Sequence, residues 1–460
     1  MADVVAWALV IAIALGGIAG AEWVQLFARR RWHVRVKLPD PVAYTDAPSF
    51  FADSEIAIRI HSSKPVRVRW SRCGQEKFEL VKELNASASP QSRSMDRWHG
   101  FDWAPSAVLL ANSLEPGYYR VDIEHQDDAS RQWCMAVIVR DRASQPVLVV
   151  ASTNTWNAYN DFGGLSNYKD HSTPQPLKLI RSLAIHLNLK IRIAERHWLL
   201  AVPLPERRPN APVHRDLRDP SGAPSHLARE EAALIRFLER EAVAYSVISD
   251  RDFALDPNAS QTRLIIFNTH SEYWSEEMIG RVEEFIQRGT SVAFLSGNNM
   301  YRKVQFLDKA IVVTDQLTPP EQVVPLIGSY YDPLGYRTFA AYRIADAGHW
   351  CWEGLSVQNG SEFGEGNARR PGGSGYETDK IRFGANGFSV VAVGKNAEGP
   401  AFMVCRNLSN AGFVSSVGSV AFTPCLDDDP IAQGLVRNLV RRAVGSERLQ
   451  EVWSRMSGGS

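Results

Sequence analysis

The stretch Leu264-Ile265-Ile266-Phe267-Asn268-Thr269-His270-Ser271-Glu272-Tyr273-Trp274-Ser275 decides how this chain is read. Its first four residues are a continuous apolar run, the pattern of a strand buried on both faces of a parallel sheet. Ser275 then opens a helical pattern with Met278, Ile279, Val282, Phe285 and Ile286 on one face, and Gly289 is placed to end it. Ser291 to Leu295 is the next apolar run. Strand, helix, strand with short connections is a βαβ unit, so the sheet is expected to be at least partly parallel. His270 and Glu272 fall just past the strand. That position suits a core badly and chemistry well, because loops after strand C-termini form the ligand crevice of open α/β sheets.

Working outward, Pro146 to Ala151 is another apolar run. Leu227, Ala232, Leu234, Ile235 and Leu238 mark a helix from His226 to Glu241, with Ser225 available as N-cap and a strand at Tyr245 to Ile248. From about Leu307 the pattern weakens: Pro319-Pro320 and Arg370-Pro371-Gly372-Gly373 alternate with short strand-like runs. Met403 to Cys405 and Phe413 to Val417 read as returning strands, and Asp429 to Val444 as a last helix. Before Arg142 the period is two, as in Ser54 to Ile60, Val66 to Trp70 and Arg120 to Ile123. The expected architecture is α/β. A β-sandwich over residues 39–142 precedes a Rossmann-like or glutamine-amidotransferase-like domain over 143–446 with a mainly parallel sheet. Residues 1–38 form a hydrophobic segment and basic linker, and 447–460 a flexible tail.

A chain of 460 residues suggests two or three domains, and 45% hydrophobic with 22% charged residues fits an ordinary globular protein. A formal net charge of zero gives no sign of nucleic acid as a partner. Five cysteines, widely spaced and without a CxxC pair, argue against a disulfide framework and a structural zinc site, and fit a reduced compartment. Val4 to Ala21 is apolar throughout, followed by Arg29, Arg30, Arg31, Arg35 and Lys37. The reading is a membrane anchor with the body in the cytoplasm. A signal peptide cleaved near Ala19-Gly20-Ala21, or an apolar helix packed on a soluble cytoplasmic body, stays open.

Three polar segments follow expected strands: Thr153 to Asn160, Thr269 to Trp274, and Ser296 to Asn299. If the strands are parallel neighbours, the segments share one sheet edge, bringing together a phenol, an imidazole, a carboxylate and a carboxamide. Singly, each has an ordinary role: Tyr159 and His270 as hydrogen-bonded core residues, Glu272 beside a helix N-terminus, Gly297-Asn298 as a turn. Jointly they are a donor set suited to a first-row metal such as iron.

The blocks Asn157-Ala158-Tyr159-Asn160 with Gly163-Gly164, Thr269-His270-Ser271-Glu272-Tyr273-Trp274-Ser275 with Met278, and Gly297-Asn298 carry a resemblance. So, more weakly, do Gly348-His349-Trp350, Phe363-Gly364, Gly375-Tyr376-Glu377 and Gly418-Ser419. In order and spacing the chain resembles the C-terminal region of the N,N-dimethylformamidase large (β) subunit family from about Pro39 to Val444. The resemblance implies a mononuclear non-haem iron held by two tyrosines and one glutamate. Carried over, Glu272 is the carboxylate ligand and Tyr159 one tyrosinate, with His270, Asn298 and Glu377 as catalytic or outer residues. A family tyrosine follows an Arg–Pro pair, whereas Arg208-Pro209 here precedes Asn210, and Tyr168 is the substitute. The family's His-Pro-Glu is His270-Ser271-Glu272.

The expected activity is metal-dependent hydrolysis of the C–N bond of a small amide. Glu377 would be the general base, and His270 and Asn298 would bind the developing oxyanion or orient the water. Trp156, Tyr273, Trp274 and Tyr301 are candidates for an apolar wall. The alternative is a catalytically decayed, membrane-tethered binding or scaffold protein on the same fold. Cysteine nucleophile chemistry at Cys405 lacks a glycine-rich elbow. A small partner subunit and a homo-oligomer both stay open.

Overall fold

The computed structural model describes residues 33–168, 202–219, 226–382 and 385–445. The apolar segment Val4 to Ala21 and the tail 447–460 lie outside the described residues. Among the described residues, no helix is long and apolar enough to cross a membrane.

Two larger sheets form the N-terminal part, beside a two-stranded pairing of His33–Arg35 with Ser94–Asp96. One orders Ser49–Phe51, Gln132–Arg140, Gly117–His125, Val66–Cys73 and Phe78–Ala86; the other orders Val42–Thr45, Glu55–His61 and Ala107–Leu110. Alternate apolar residues make the shared core: Ile56, Ile58 and Ile60 from one sheet meet Val66, Val68, Trp70, Val121 and Ile123 from the other. The strand Gln132–Arg140 is buried nearly throughout rather than on one face. Its Trp133, Met135, Val137 and Val139 enter this core, while Cys134, Ala136 and Ile138 face a second one.

That second core belongs to a nine-stranded sheet. Its strands are β1 (Val147–Ala151), β2 (Tyr245–Ser249), β3 (Leu264–His270), β4 (Ser291–Gly297), β5 (Tyr342–Ile344), β6 (Glu362–Phe363), β7 (Ser389–Gly394), β8 (Phe402–Asn407) and β9 (Phe413–Ser416). The order is β2-β1-β3-β4-β9-β8-β7-β5-β6. Helices α1 (Thr153–Tyr159), α2 (Ala211–Arg218), α3 (Ala228–Arg240), α4 (Asp250–Leu255), α5 (Glu276–Gln287) and α6 (Pro430–Val444) pack around it. Ser275 caps α5, its Oγ accepting from Met278 N at 3.3 Å, and Asp429 caps α6.

The expectation of a Rossmann-like or glutamine-amidotransferase-like domain with a mainly parallel sheet is overturned. Only β2, β1, β3, β4 and β9 run parallel; the pairings β9/β8, β8/β7, β7/β5 and β5/β6 are antiparallel. The other sheets are also largely antiparallel, so the fold is a strand-rich mixture. The cause lies after β4. A parallel pair needs a crossover, usually helical, of a dozen or more residues. Beyond β4 the chain instead turns back in hairpins, first Arg302–Leu307 against Ala310–Leu317, later β8 against β9.

Candidate functional site

The polar ends of β1, β3 and β4 do meet. Their register places Ala151 near Phe267 and His270 opposite Gly297. α1 starts directly after β1, and its last residue is Tyr159. β3 ends on His270, and Tyr273–Trp274 pairs in parallel with Arg302–Lys303, which draws Arg302 beside Glu272. The loop Gly375 to Glu377 is pinned by Ser419 Oγ, which accepts from Gly375 N at 2.9 Å and donates to Gly373 O at 2.7 Å.

Two phenols converge on one buried carboxylate. Tyr159 OH donates to Glu272 Oε2 at 3.2 Å, and Tyr168 OH lies 3.0 Å from Tyr159 OH and 3.4 Å from both Glu272 oxygens. Tyr168 OH also meets Tyr273 OH at 2.9 Å, which accepts from Asn167 Nδ2 at 2.8 Å. Arg302 Nε donates to Glu272 Oε1 at 3.0 Å. Glu272 is 2% exposed, so Arg302 and the hydroxyls offset a charge that water does not solvate.

A second chain of contacts runs from the same carboxylate. His270, fully buried, places Nε2 3.4 Å from Glu272 Oε2 and 2.9 Å from Glu377 Oε2. His270 Nδ1 lies 2.8 Å from His226 Nδ1, so one ring donates to the other. Asn298 Nδ2 donates to Glu377 Oε2 at 2.8 Å. His270, Glu272 and Glu377 together offer ligand atoms within 4.8 Å of one another.

Electrostatics follow from burial and these partners. Burial opposes the charged imidazole of His270, but Glu377 and Glu272 outweigh it and push its pKa up to about 9. Burial likewise opposes the Glu377 carboxylate, yet His270, His226 and Asn298 hold it below the usual range. His226 is driven down to about 3 by burial and by His270. Burial and the Glu272 charge push the phenols of Tyr159 and Tyr168 up.

Strain collects here too. Thr269, Asn298, Met300 and Tyr376 hold positive φ values of 55°, 52°, 54° and 62°. Such conformations cost of order 1–3 kcal/mol each in non-glycine residues and gather at functional sites. Gly297 meets a different demand, since a Cβ there would lie 2.5 Å from Val420 N.

The structure thus brings together all six residues singled out from the sequence: Tyr159, Tyr168, His270, Glu272, Asn298 and Glu377. Asn210 has another task, capping α2 with Oδ1 on Val213 N at 3.1 Å. Trp156 and Trp274 pack in the cores rather than walling the site, while Tyr273 joins it through its hydroxyl. Sequence reasoning missed Arg302, His226 and Asp379. Asp379 accepts from Asn298 N at 2.8 Å and Asn299 Nδ2 at 2.8 Å, and burial raises it to about 6. A small cavity touching Tyr44, Trp156 and Arg208 shares none of the six. The chemistry, not the volume, marks the site.

The comparisons agree with the residues. A family model described as "N,N-dimethylformamidase beta subunit-like, C-terminal" matches residues 64–318 and 314–434. No curated protein matches the chain. Among solved structures, a thua-like protein from Bacteroides uniformis ATCC 8492 is 12% identical, with 47% of this chain and 85% of that chain covered and a TM-score of 0.33. A thua-like protein from Parabacteroides merdae ATCC 43184 is 14% identical, with 49% and 88% covered and a TM-score of 0.28. Scores at that level carry no argument about this chain.

Proposed function

Because the chain belongs to the N,N-dimethylformamidase beta subunit-like family, we propose that it hydrolyses the C–N bond of a small amide at an iron site held by Tyr159, Tyr168 and Glu272. One observation carries the reading: the hydroxyls of Tyr159 and Tyr168 converge on the buried Glu272 carboxylate at 3.2–3.4 Å. Three hard oxygen donors in one place suit a hard first-row cation. His270, buried beside them with Nε2 2.9 Å from Glu377 Oε2, borders the oxygen cluster without being counted among its ligands. When bound, the ion would polarise the amide carbonyl and acidify a water.

The chain's own groups account for the rest. Arg302 stays paired with Glu272 and limits the charge the cluster accumulates. Glu377 takes the proton of the attacking water and hands it to the departing amine. His270, held between Glu377 and His226, keeps positive charge next to the carbonyl oxygen. Tyr273 and Asn167 fix the hydroxyl of Tyr168, the half-exposed member of the set.

Metal analysis of the purified protein beside Glu272→Ala is the test. Stoichiometric iron in the wild type that vanishes in the variant supports the proposal. A metal-free wild type that still hydrolyses amides sinks it.

A further inference from the structure

Arg208 is buried behind the site, at 2% exposure, and all five N–H groups of its guanidinium are spent. Nε donates to Pro205 O at 3.1 Å. Nη1 donates to Phe162 O at 3.1 Å and Leu165 O at 2.5 Å, and Nη2 to Asn157 O at 3.1 Å and Asn157 Oδ1 at 3.0 Å. Four of the five acceptors thus belong to the segment that runs from the last turn of α1 to Tyr168. Burial pushes the guanidinium down to about 9, so the cation sits there at a cost that its acceptors offset. A planar fork reaches three separate points of that segment at once, which a point charge or an apolar side chain does not.

Resting on the iron-site reading above, we infer that Arg208 is a positioning residue for the metal pocket: its guanidinium gathers the chain between Tyr159 and Tyr168 so that both phenols reach the Glu272 carboxylate. The two tyrosines are not held equally. Tyr159 ends α1, whose Asn154 N, Thr155 Oγ1 and Trp156 Nε1 donate to Asp250, His270 O and Glu231. Tyr168 is half-exposed and follows a path that reverses at Gly163 and Gly164, both at φ 77°. Asn167 N returns to Ala158 O at 2.8 Å, and Asn160 Nδ2 donates to Pro209 O at 2.9 Å, which closes the segment around the guanidinium. Removing the fork therefore frees Tyr168 first and leaves Tyr159 on its helix.

The iron–tyrosinate absorption band of the iron-loaded full chain reads the difference. In Arg208→Lys, three donors on one point replace the planar fork, and the band is expected to weaken to that of Tyr168→Phe. The double variant should show no further loss, because a residue acting through Tyr168 has nothing left to act on. A wild-type band in Arg208→Lys, or losses that add in the double variant, overturns the inference and leaves the iron site standing. A colourless iron-loaded wild type overturns the iron-site reading and the inference with it. Should circular dichroism show Arg208→Lys unfolded, Asn157→Ala takes its place, since it removes the Oδ1 acceptor and leaves the backbone one. A weakened band that Tyr168→Phe no longer lowers supports the inference there, and a wild-type band overturns it.

Discussion

Glu272 gathers most of what the site depends on: two phenols, a guanidinium and an imidazole lie within 3.4 Å of its carboxylate. Glu377 is different, since its partners are His270 and Asn298 and no phenol touches it in the contacts above. Glu377→Gln should therefore lower amide turnover by about 10²-fold or more while iron content stays at the wild-type level. Parallel loss of iron and turnover would make Glu377 a ligand instead. Asn210→Ala removes a helix cap and should cost about 1 kcal/mol in urea unfolding without changing iron content. The substitution of Asn210 for a family tyrosine looked in the sequence like a lost ligand. In space Tyr168, named from the sequence as the substitute, reaches the Glu272 carboxylate from another segment. Arg302 and His226 escaped notice because a polar residue at an element's end reads as a cap or a solvated charge.

One buried acid makes a pH prediction. Asp250, the first residue of α4, accepts from Asn154 N at 2.7 Å, and burial raises its pKa to about 8. The folded state thus keeps a proton that the unfolded state releases near pH ~4. Stability is full below that pH and falls as pH rises towards 8, with a slope approaching ~1.4 kcal/mol per unit. Chemical denaturation across that range should show the decline, and Asp250→Asn should flatten it. A slope unchanged in the variant would assign the effect to another group.

At the scale of elements, the strand–loop–helix from Leu264 to Gln287 was legible because burial writes its period into the sequence. The apolar run became β3, Ser275 became the cap, and the apolar stripe became the buried face of α5. The antiparallel half of the nine-stranded sheet was not legible. Strands as short as β5 and β6, at three and two residues, carry too little pattern to declare a direction. Their partners, such as β7, also lie far along the chain. The end of β4 offers a test of how tightly the elements close on the site. A Cβ at Gly297 would lie 2.5 Å from Val420 N and 2.7 Å from Ser419 C. Gly297→Ala should destabilise by roughly 1–3 kcal/mol by the usual cost of overpacking, read from the denaturation midpoint. A wild-type midpoint would mean that the loop carrying Ser419 yields freely.

Across the whole molecule, the N-terminal sheets and the nine-stranded sheet are not independently finished. Gln132–Arg140 feeds alternate side chains into both cores, Trp133 stacks on His214 of α2 with centroids 4.1 Å apart, and Tyr118 OH donates to Ala228 O of α3 at 3.2 Å. The sequence boundary near Arg142 separates two patterns, not two surfaces that water could cover. Residues 143–446 expressed alone should therefore aggregate or bind hydrophobic dyes, seen by size-exclusion chromatography. A monodisperse, cooperative fragment would show that the shared core is dispensable. α1, which ends in Tyr159, anchors its Trp156 in the second of these cores.

The central claim is that two tyrosines of this chain, Tyr159 and Tyr168, hold iron together with Glu272. The visible absorption spectrum of the iron-loaded protein, wild type beside Tyr168→Phe, tests it most directly, because iron–tyrosinate charge transfer absorbs visible light. The account predicts a coloured wild type whose band is shifted and weakened in the variant. A colourless iron-loaded wild type, or a band identical in both, would contradict it.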